Sequence, residues 1–143
     1  MKFNKITIAG IGLIGGSLGL AIKKAKLAKE ICGVCRKEES IKDAKKQGII
    51  DYGTSDLEKG VIGADLVILA QPVNIISEAI KQLANFNLPD NIIITDVGST
   101  KAHIVDIAEK NLKCFIGSHP MAGSEQQGMF FASADLFYDK LCF

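Results

Sequence analysis

Arginine occurs once in this chain, at Arg36, and histidine twice, at His103 and His119. Basic and acidic side chains nearly cancel, 17 against 16, for a net charge of +1. Nucleic-acid binding driven by bulk charge is thereby excluded, because phosphate contacts need a basic excess or stripe. The cysteines Cys32 and Cys35 form a C-x-x-C pair, but there is no second such pair and no H-x-x-x-H. A zinc site needs two further ligands at suitable spacing, so no metal is expected. Residues three apart on a strand also face opposite ways. These cysteines, with Cys114 and Cys142, read as small apolar residues of a reducing compartment. Long apolar runs are lacking too. Ile6 to Ile22 carries no charge and follows Lys2 and Lys5, which imitates a signal peptide or short membrane span. The five glycines at Gly10, Gly12, Gly15, Gly16 and Gly19 make a poor continuous helix, each costing up to about 1 kcal/mol against alanine. No small-x-small cleavage site precedes Lys23. We therefore expect no membrane partner and a cytoplasmic protein. Repeats, low-complexity stretches and linkers are also missing.

What is present fits one soluble domain. The 143 residues are 48% apolar and 23% charged, enough chain to bury roughly two-thirds of its unfolded surface. Strand and helix patterns alternate throughout. Short apolar runs predict strands over Lys5–Ala9, Glu30–Val34, Asp65–Ala70, Asn91–Thr95 and Lys113–Gly117. Helical spacing covers Leu13–Ala25, Glu38–Gln47 (ended by Gly48), Val73–Ala84 and Thr100–Lys110. Gly123 to Asp135 reads as a loop with a short helix. This βαβα order predicts an α/β, Rossmann-type, doubly wound and mainly parallel sheet with helices on both faces. The uniformly apolar strands fit a sheet buried on both sides. Lys140-Leu141-Cys142-Phe143 looks like the beginning of another strand, so we expect residues 1–143 to be a dinucleotide-binding domain cut short, the front part of something longer.

Gly10-Ile11-Gly12-Leu13-Ile14-Gly15 is G-x-G-x-x-G, following a predicted strand and opening a predicted helix. In that context Gly10 allows a tight turn, Gly12 lets backbone approach a pyrophosphate, and Gly15 lets helix and strand pack closely. The pyrophosphate then sits on free N–H groups at the helix start. An acidic residue about 20 positions on would bond a ribose 2′-hydroxyl. Here that position is Cys35, followed by Arg36 and Lys37. The missing carboxylate removes repulsion against a 2′-phosphate, and a guanidinium grips one in bidentate fashion. The expected cofactor is NADP or NAD, with NADP favoured.

Ligands of open α/β sheets bind at the carboxyl ends of the strands. Gln71-Pro72-Val73, Asp96 to Lys101 and Ser118 to Gly123 all follow predicted strands there. Gln71, Pro72, Val73 and Asp96 are expected beside the cofactor, with Gly10, Gly12, Leu13, Ile14, Gly15, Cys35 and Arg36. His103 falls inside a helix. His119 lies at a strand end, held extended by Pro120, and an imidazole suits proton transfer near neutral pH. Ser99, at the next strand end, is placed to hydrogen-bond that imidazole or a substrate hydroxyl. Spacing alone leaves His119 open between a structural and a catalytic role.

These strings together carry a resemblance. Gly10 to Leu18, then Asp96-Val97-Gly98-Ser99-Thr100-Lys101, then Gly117-Ser118-His119-Pro120-Met121-Ala122-Gly123-Ser124-Glu125 with Gly128 resemble the prephenate/arogenate dehydrogenase family along essentially the whole chain. The resemblance implies oxidative decarboxylation of prephenate or arogenate with hydride transfer to a nicotinamide, a step of tyrosine biosynthesis. It implies that His119 bonds the ring hydroxyl and draws off its proton, and that Ser99 supports both. Two departures matter. Cys35 stands where the family usually has its ribose acid. The family's helical C-terminal domain, which forms a homodimer and supplies an arginine to the substrate carboxylate, has no counterpart in these 143 residues. The chain alone is thus expected to bind cofactor and turn over slowly or not at all. The alternatives are a 3-hydroxyacid-type dehydrogenase, which does not explain the His-Pro-Met-Ala-Gly string, and a nucleotide-binding module without turnover.

Overall fold

The computed structural model describes residues 3–123 and 125–143; Met1, Lys2 and Ser124, the last within the His-Pro-Met-Ala-Gly-Ser string, lie outside the described residues. The apolar runs become strands β1 (Phe3–Ala9), β2 (Ala28–Val34), β4 (Leu66–Leu69), β5 (Ile93–Asp96) and β6 (Phe115–Ile116), and a short β3 (Tyr52–Thr54) joins them. Their order in the sheet is β3-β2-β1-β4-β5-β6, and every pairing is parallel. The order reverses between β1 and β4, where Ile6 pairs with Ile31 on one side and Leu66 on the other. Such a reversal opens a crevice at the carboxyl ends of the two strands.

Helices α1 (Leu13–Lys24), α2 (Glu38–Lys46), α3 (Leu57–Val61), α4 (Val73–Leu83) and α5 (Lys101–Asn111) cover the sheet. Two cores result. Ile6, Ile8, Ile31 and Ile68 face α1 and α2 with Ile22, Ala44, Ile49 and Ile50. Ala9, Val34, Val67, Leu69 and Ile94 face α4 and α5 with Ile76, Ile80, Leu83 and Ile104. Val67 and Ile68 enter opposite cores because neighbouring strand residues point to opposite faces. The Rossmann-type doubly wound architecture is as expected, and no helix among the described residues is long and apolar enough to cross a membrane.

Two elements were not expected from the sequence. β3 is a three-residue edge strand with an exposed Tyr52, and α3 spans five residues. Both are too short to show a period; β3 exists because β2 offers it a partner, Cys32 opposite Tyr52. The α3 start is fixed by Asp56, whose carboxylate accepts from the Lys59 N–H at 3.2 Å. The expectation of a further strand at Lys140–Phe143 needs correction. That segment turns back antiparallel onto residues 119–121. The Met121 N–H donates to the Leu141 carbonyl at 2.8 Å, and Pro120 pairs with Cys142. Within Gly123–Asp135 the short helix is a single 3-10 turn, Met129–Phe131, whose Met129 is buried against α1.

α1 lies unusually close to the segment entering β3. A Cβ on Gly19 would stand 2.7 Å from both Cγ2 and the carbonyl oxygen of Ile49. Because the obstacle includes backbone, Gly19→Val should lower the unfolding free energy by about 1–3 kcal/mol. Urea denaturation at equilibrium measures this, and an unchanged midpoint would contradict the packing.

Candidate functional site

The turn after β1 is built from what glycine lacks. Gly10 has φ of +93°, and a Cβ there would stand 2.8 Å from Ala70 and Gln71 backbone atoms. A Cβ on Gly15 would land on the Gly10 carbonyl oxygen. α1 therefore packs directly on the β1 turn. Gly12, by contrast, has nothing within 4 Å of a Cβ position. Its open side is the mouth of the crevice. Gly12 caps α1 without a side-chain hydrogen bond, and the first turn of α1 contains no acid. The first N–H groups and the positive end of the helix dipole are thus left for an anion. α4, capped by Pro72, and α5, capped by Thr100, begin at the same sheet edge, also without side-chain caps or acids in the first turn.

A cleft of about 560 Å³ runs from Gly10, Ile11 and Gly12 past Cys35, Arg36, Lys37, Ser40 and Ser55 to Leu57 on one side and Gln71, Pro72 and Glu78 on the other. Gly12, Ala70, Gln71 and Pro72 also line a second hollow of about 450 Å³, which continues over Leu13, Ile14 and Val97 to Ala122, Gly123, Gln126 and Gln127. The two hollows adjoin at the switch point, where both are lined by Gly12, Ala70, Gln71 and Pro72, and together they are taken below as one groove. The residues present fit a dinucleotide, because uncapped helix N–H groups meet the open face of Gly12 at its middle.

Most of the expected cofactor residues are gathered here: Gly10, Gly12, Leu13, Ile14, Cys35, Arg36, Gln71 and Pro72 line the groove, and Gly15 supports it from behind. Arg36 is exposed at the rim and makes no ion pair with any described residue. Cys35 is buried, and burial pushes its thiol above the ordinary range, so it presents a neutral group rather than a carboxylate's charge. Cys32 is fully buried on β2 and shifted upward for the same reason. All four cysteines are free, and the described residues contain no cluster able to hold a metal. Val73 packs against the core beneath α4. Asp96 has no exposed surface.

Asp96 ties together the loops at this edge of the sheet. Its carboxylate pairs with Lys101 and accepts from the Gly98 N–H at 2.8 Å and the Ser118 N–H at 3.3 Å. The Ser118 hydroxyl donates to the Asp96 carbonyl at 2.5 Å, and the Thr95 hydroxyl to the Ile116 carbonyl at 2.6 Å. One buried carboxylate thus joins the loop carrying Ser99 to the segment carrying His119. The His119 N–H donates to the Phe143 carbonyl at 2.5 Å, and the Phe143 N–H returns a bond at 3.1 Å. Among the described residues, Nδ1 of His119 is buried without a partner, and no hydrogen bond joins Ser99 to His119. The structure brings the two to one edge without linking their side chains; Ser99 is exposed. His103 is exposed on α5, away from the groove lining. Sequence reading missed Ser40, Ser55, Gln126 and Gln127 as lining residues. Ser55 follows the unforeseen β3. The glutamines stand between Gly123 and Gly128, a spacing that marks a loop but not its direction.

A family model described as the nucleotide-binding domain of prephenate dehydrogenase matches residues 18–142. The chain belongs to the prephenate dehydrogenase family. The match begins past the glycine loop, so the roles of Gly10, Gly12 and Gly15 rest on the geometry above. The prephenate dehydrogenase of Lactococcus lactis subsp. cremoris is 48% identical over 138 residues, which are 93% of this chain and 38% of the relative. The crystal structure of Aquifex aeolicus prephenate dehydrogenase with hydroxyphenyl propionate and NAD+ superposes with a TM-score of 0.92 at 33% identity, covering 99% of this chain and 50% of that one. Synechocystis arogenate dehydrogenase superposes at 0.89 with 30% identity, covering 96% of this chain and 48% of that one. The chain thus spans between about two-fifths and half the length of these family members.

Two outcomes test this geometry. Asp96→Ala leaves Lys101 and two N–H groups unpaired, and should cost about 3 kcal/mol of stability by chemical denaturation. Because burial holds their thiols protonated, Cys32 and Cys35 should react with iodoacetamide at neutral pH far more slowly than exposed Cys142. Peptide mass spectrometry reads the order, and equal labelling would contradict the burial.

Proposed function

We propose that this chain is the nucleotide-binding part of an NAD(P)-dependent dehydrogenase that oxidises and decarboxylates prephenate or arogenate. The observation that carries the reading is the pair of adjoining hollows, which share Gly12 and Gln71 and reach from Arg36 past the uncapped start of α1 to the loop that follows His119. A nicotinamide bound in this groove would supply the acceptor for the hydride that leaves the substrate ring carbon. The chain's own part is positioning and proton transfer. The α1 N-terminus holds the pyrophosphate. The Asp96 network holds the two loops that carry Ser99 and His119 at fixed separation. His119 takes the ring hydroxyl proton as hydride leaves, Ser99 supports that hydroxyl, and carbon dioxide departs as the ring becomes aromatic. The full-length protein acts in the cytoplasm as a homodimer.

NADP is the preferred dinucleotide in this reading. Arg36 stands unpaired at the rim, and the ribose position offers a neutral buried thiol in place of an acid. A charge-assisted guanidinium–phosphate contact contributes about 1.5–3 kcal/mol, or roughly ten- to a hundredfold in affinity. In titration calorimetry NADP+ should bind more tightly than NAD+ by that factor, and Arg36→Ala should erase the margin. Equal affinities in the unaltered chain would overturn the preference, and binding of neither would overturn the nucleotide reading.

A further inference from the structure

Gln71 sits at the waist of the groove, one of the few residues that line both chambers. It is held there from below. Its backbone nitrogen abuts Gly10, where a Cβ would come within 2.8 Å, and Pro72 behind it begins α4. Its side-chain oxygen Oε1 is buried with no hydrogen-bond partner. A buried carbonyl with nothing to accept is costly and rare in folded proteins. The torsion that turns a terminal amide is soft, so this oxygen can swing into the groove it borders. What satisfies it must be a donor. Phosphate oxygens only accept, so the pyrophosphate is the wrong partner for Oε1, although it passes nearby at Gly12.

We propose that Gln71 reads the nicotinamide-riboside half of the dinucleotide, its Oε1 accepting a hydrogen bond from a donor on that half, either a ribose hydroxyl or the carboxamide NH2. The assignment rests on the groove being a dinucleotide site, as proposed above. It gives Gln71 a different task from Arg36. Arg36 selects at the adenosine end, whereas Gln71 fixes the reactive end, in the chamber that reaches Ala122 and Gly123.

Calorimetry on the unaltered chain and on Gln71→Met, which keeps the side-chain length without the acceptor, tests this with three probes. NADP+ should bind Gln71→Met about five- to tenfold more weakly. Adenosine 2′,5′-bisphosphate, which lacks the nicotinamide riboside, should bind both proteins equally, and this also shows that the variant is folded. The 3-acetylpyridine analogue of NADP+ has a methyl group in place of the carboxamide NH2. If the carboxamide is the donor, the substitution leaves the analogue's affinity unchanged; if a ribose hydroxyl is the donor, it weakens the analogue as much as NADP+. Either result supports the proposal. Unchanged NADP+ affinity in the variant, or an equal loss for adenosine 2′,5′-bisphosphate, overturns it while the dinucleotide reading stands. Failure of the unaltered chain to bind any of the three overturns both.

Discussion

The Gly10 carbonyl and the Ala70 Cβ occupy space that any side chain at position 15 would need. Much of the site depends on that contact. It lets α1 start directly on the end of β1, so the first N–H groups of the helix face the crevice instead of being lifted away from it. It also draws Ala70 and Gln71 against Gly10, which brings the end of β4 level with the loop. The crevice at the switch point is therefore narrow enough for one ligand to touch both strand ends. The same close approach accounts for the lack of a capping side chain on α1: an Asp or Ser there would satisfy the N–H groups that the groove keeps for an anion.

The second half of the site has a different physical basis. β6 pairs with β5 over two residues only, too little backbone pairing to fix the segment that follows. A buried charge supplies the missing order. Asp96 is withdrawn from solvent, and its carboxylate is satisfied by Lys101 and by N–H groups of two loops. Such a charge is stable only with all its partners in place, so the loop with Ser99 and the segment with His119 are set together or not at all. The antiparallel return of residues 141–143 adds backbone bonds on the other side of His119. Rigid supports surround a histidine whose ring nitrogen Nδ1 remains without a bond.

The two halves also divide the electrostatic work. At one end of the groove Arg36 stands beside the buried thiol of Cys35, while α2 beyond it begins with Glu38 and Glu39. Those acids complement the dipole of their own helix, so the positive end of α2 is already answered. α1, α4 and α5 carry no such acids in their first turns. Of the helix starts that meet the groove, those of α1 and α4 are left unanswered, whereas α2 and α3 carry acids of their own in Glu38, Glu39 and Glu58.

Much of this was determined by the sequence alone. Periodicity gave the order of the long elements and hence the parallel sheet, because apolar runs buried on both faces admit few other arrangements. The glycine spacing located the tight turn between β1 and α1, since only glycine tolerates the φ of Gly10 and the contact at Gly15. Counting from that turn also placed Cys35 and Arg36 at the end of β2, where they line the groove. Short elements were not legible: β3 and α3 are shaped by neighbours, and Ser55 enters the groove only because β3 pairs with β2. The roles of Asp96, Val73 and Lys140–Phe143 were likewise decided by tertiary structure. Position along the chain puts Asp96 at a strand end, and the folded chain surrounds it there with Lys101, Gly98 and Ser118. Val73 follows another strand end, and packing under α4 sets it against the core. An apolar tail can extend a sheet or fold back, and here the edge beside His119 supplied the partner. Local pattern thus settles which residues have conformational freedom and which are apolar, while contact across the chain settles which polar groups remain free to meet a ligand.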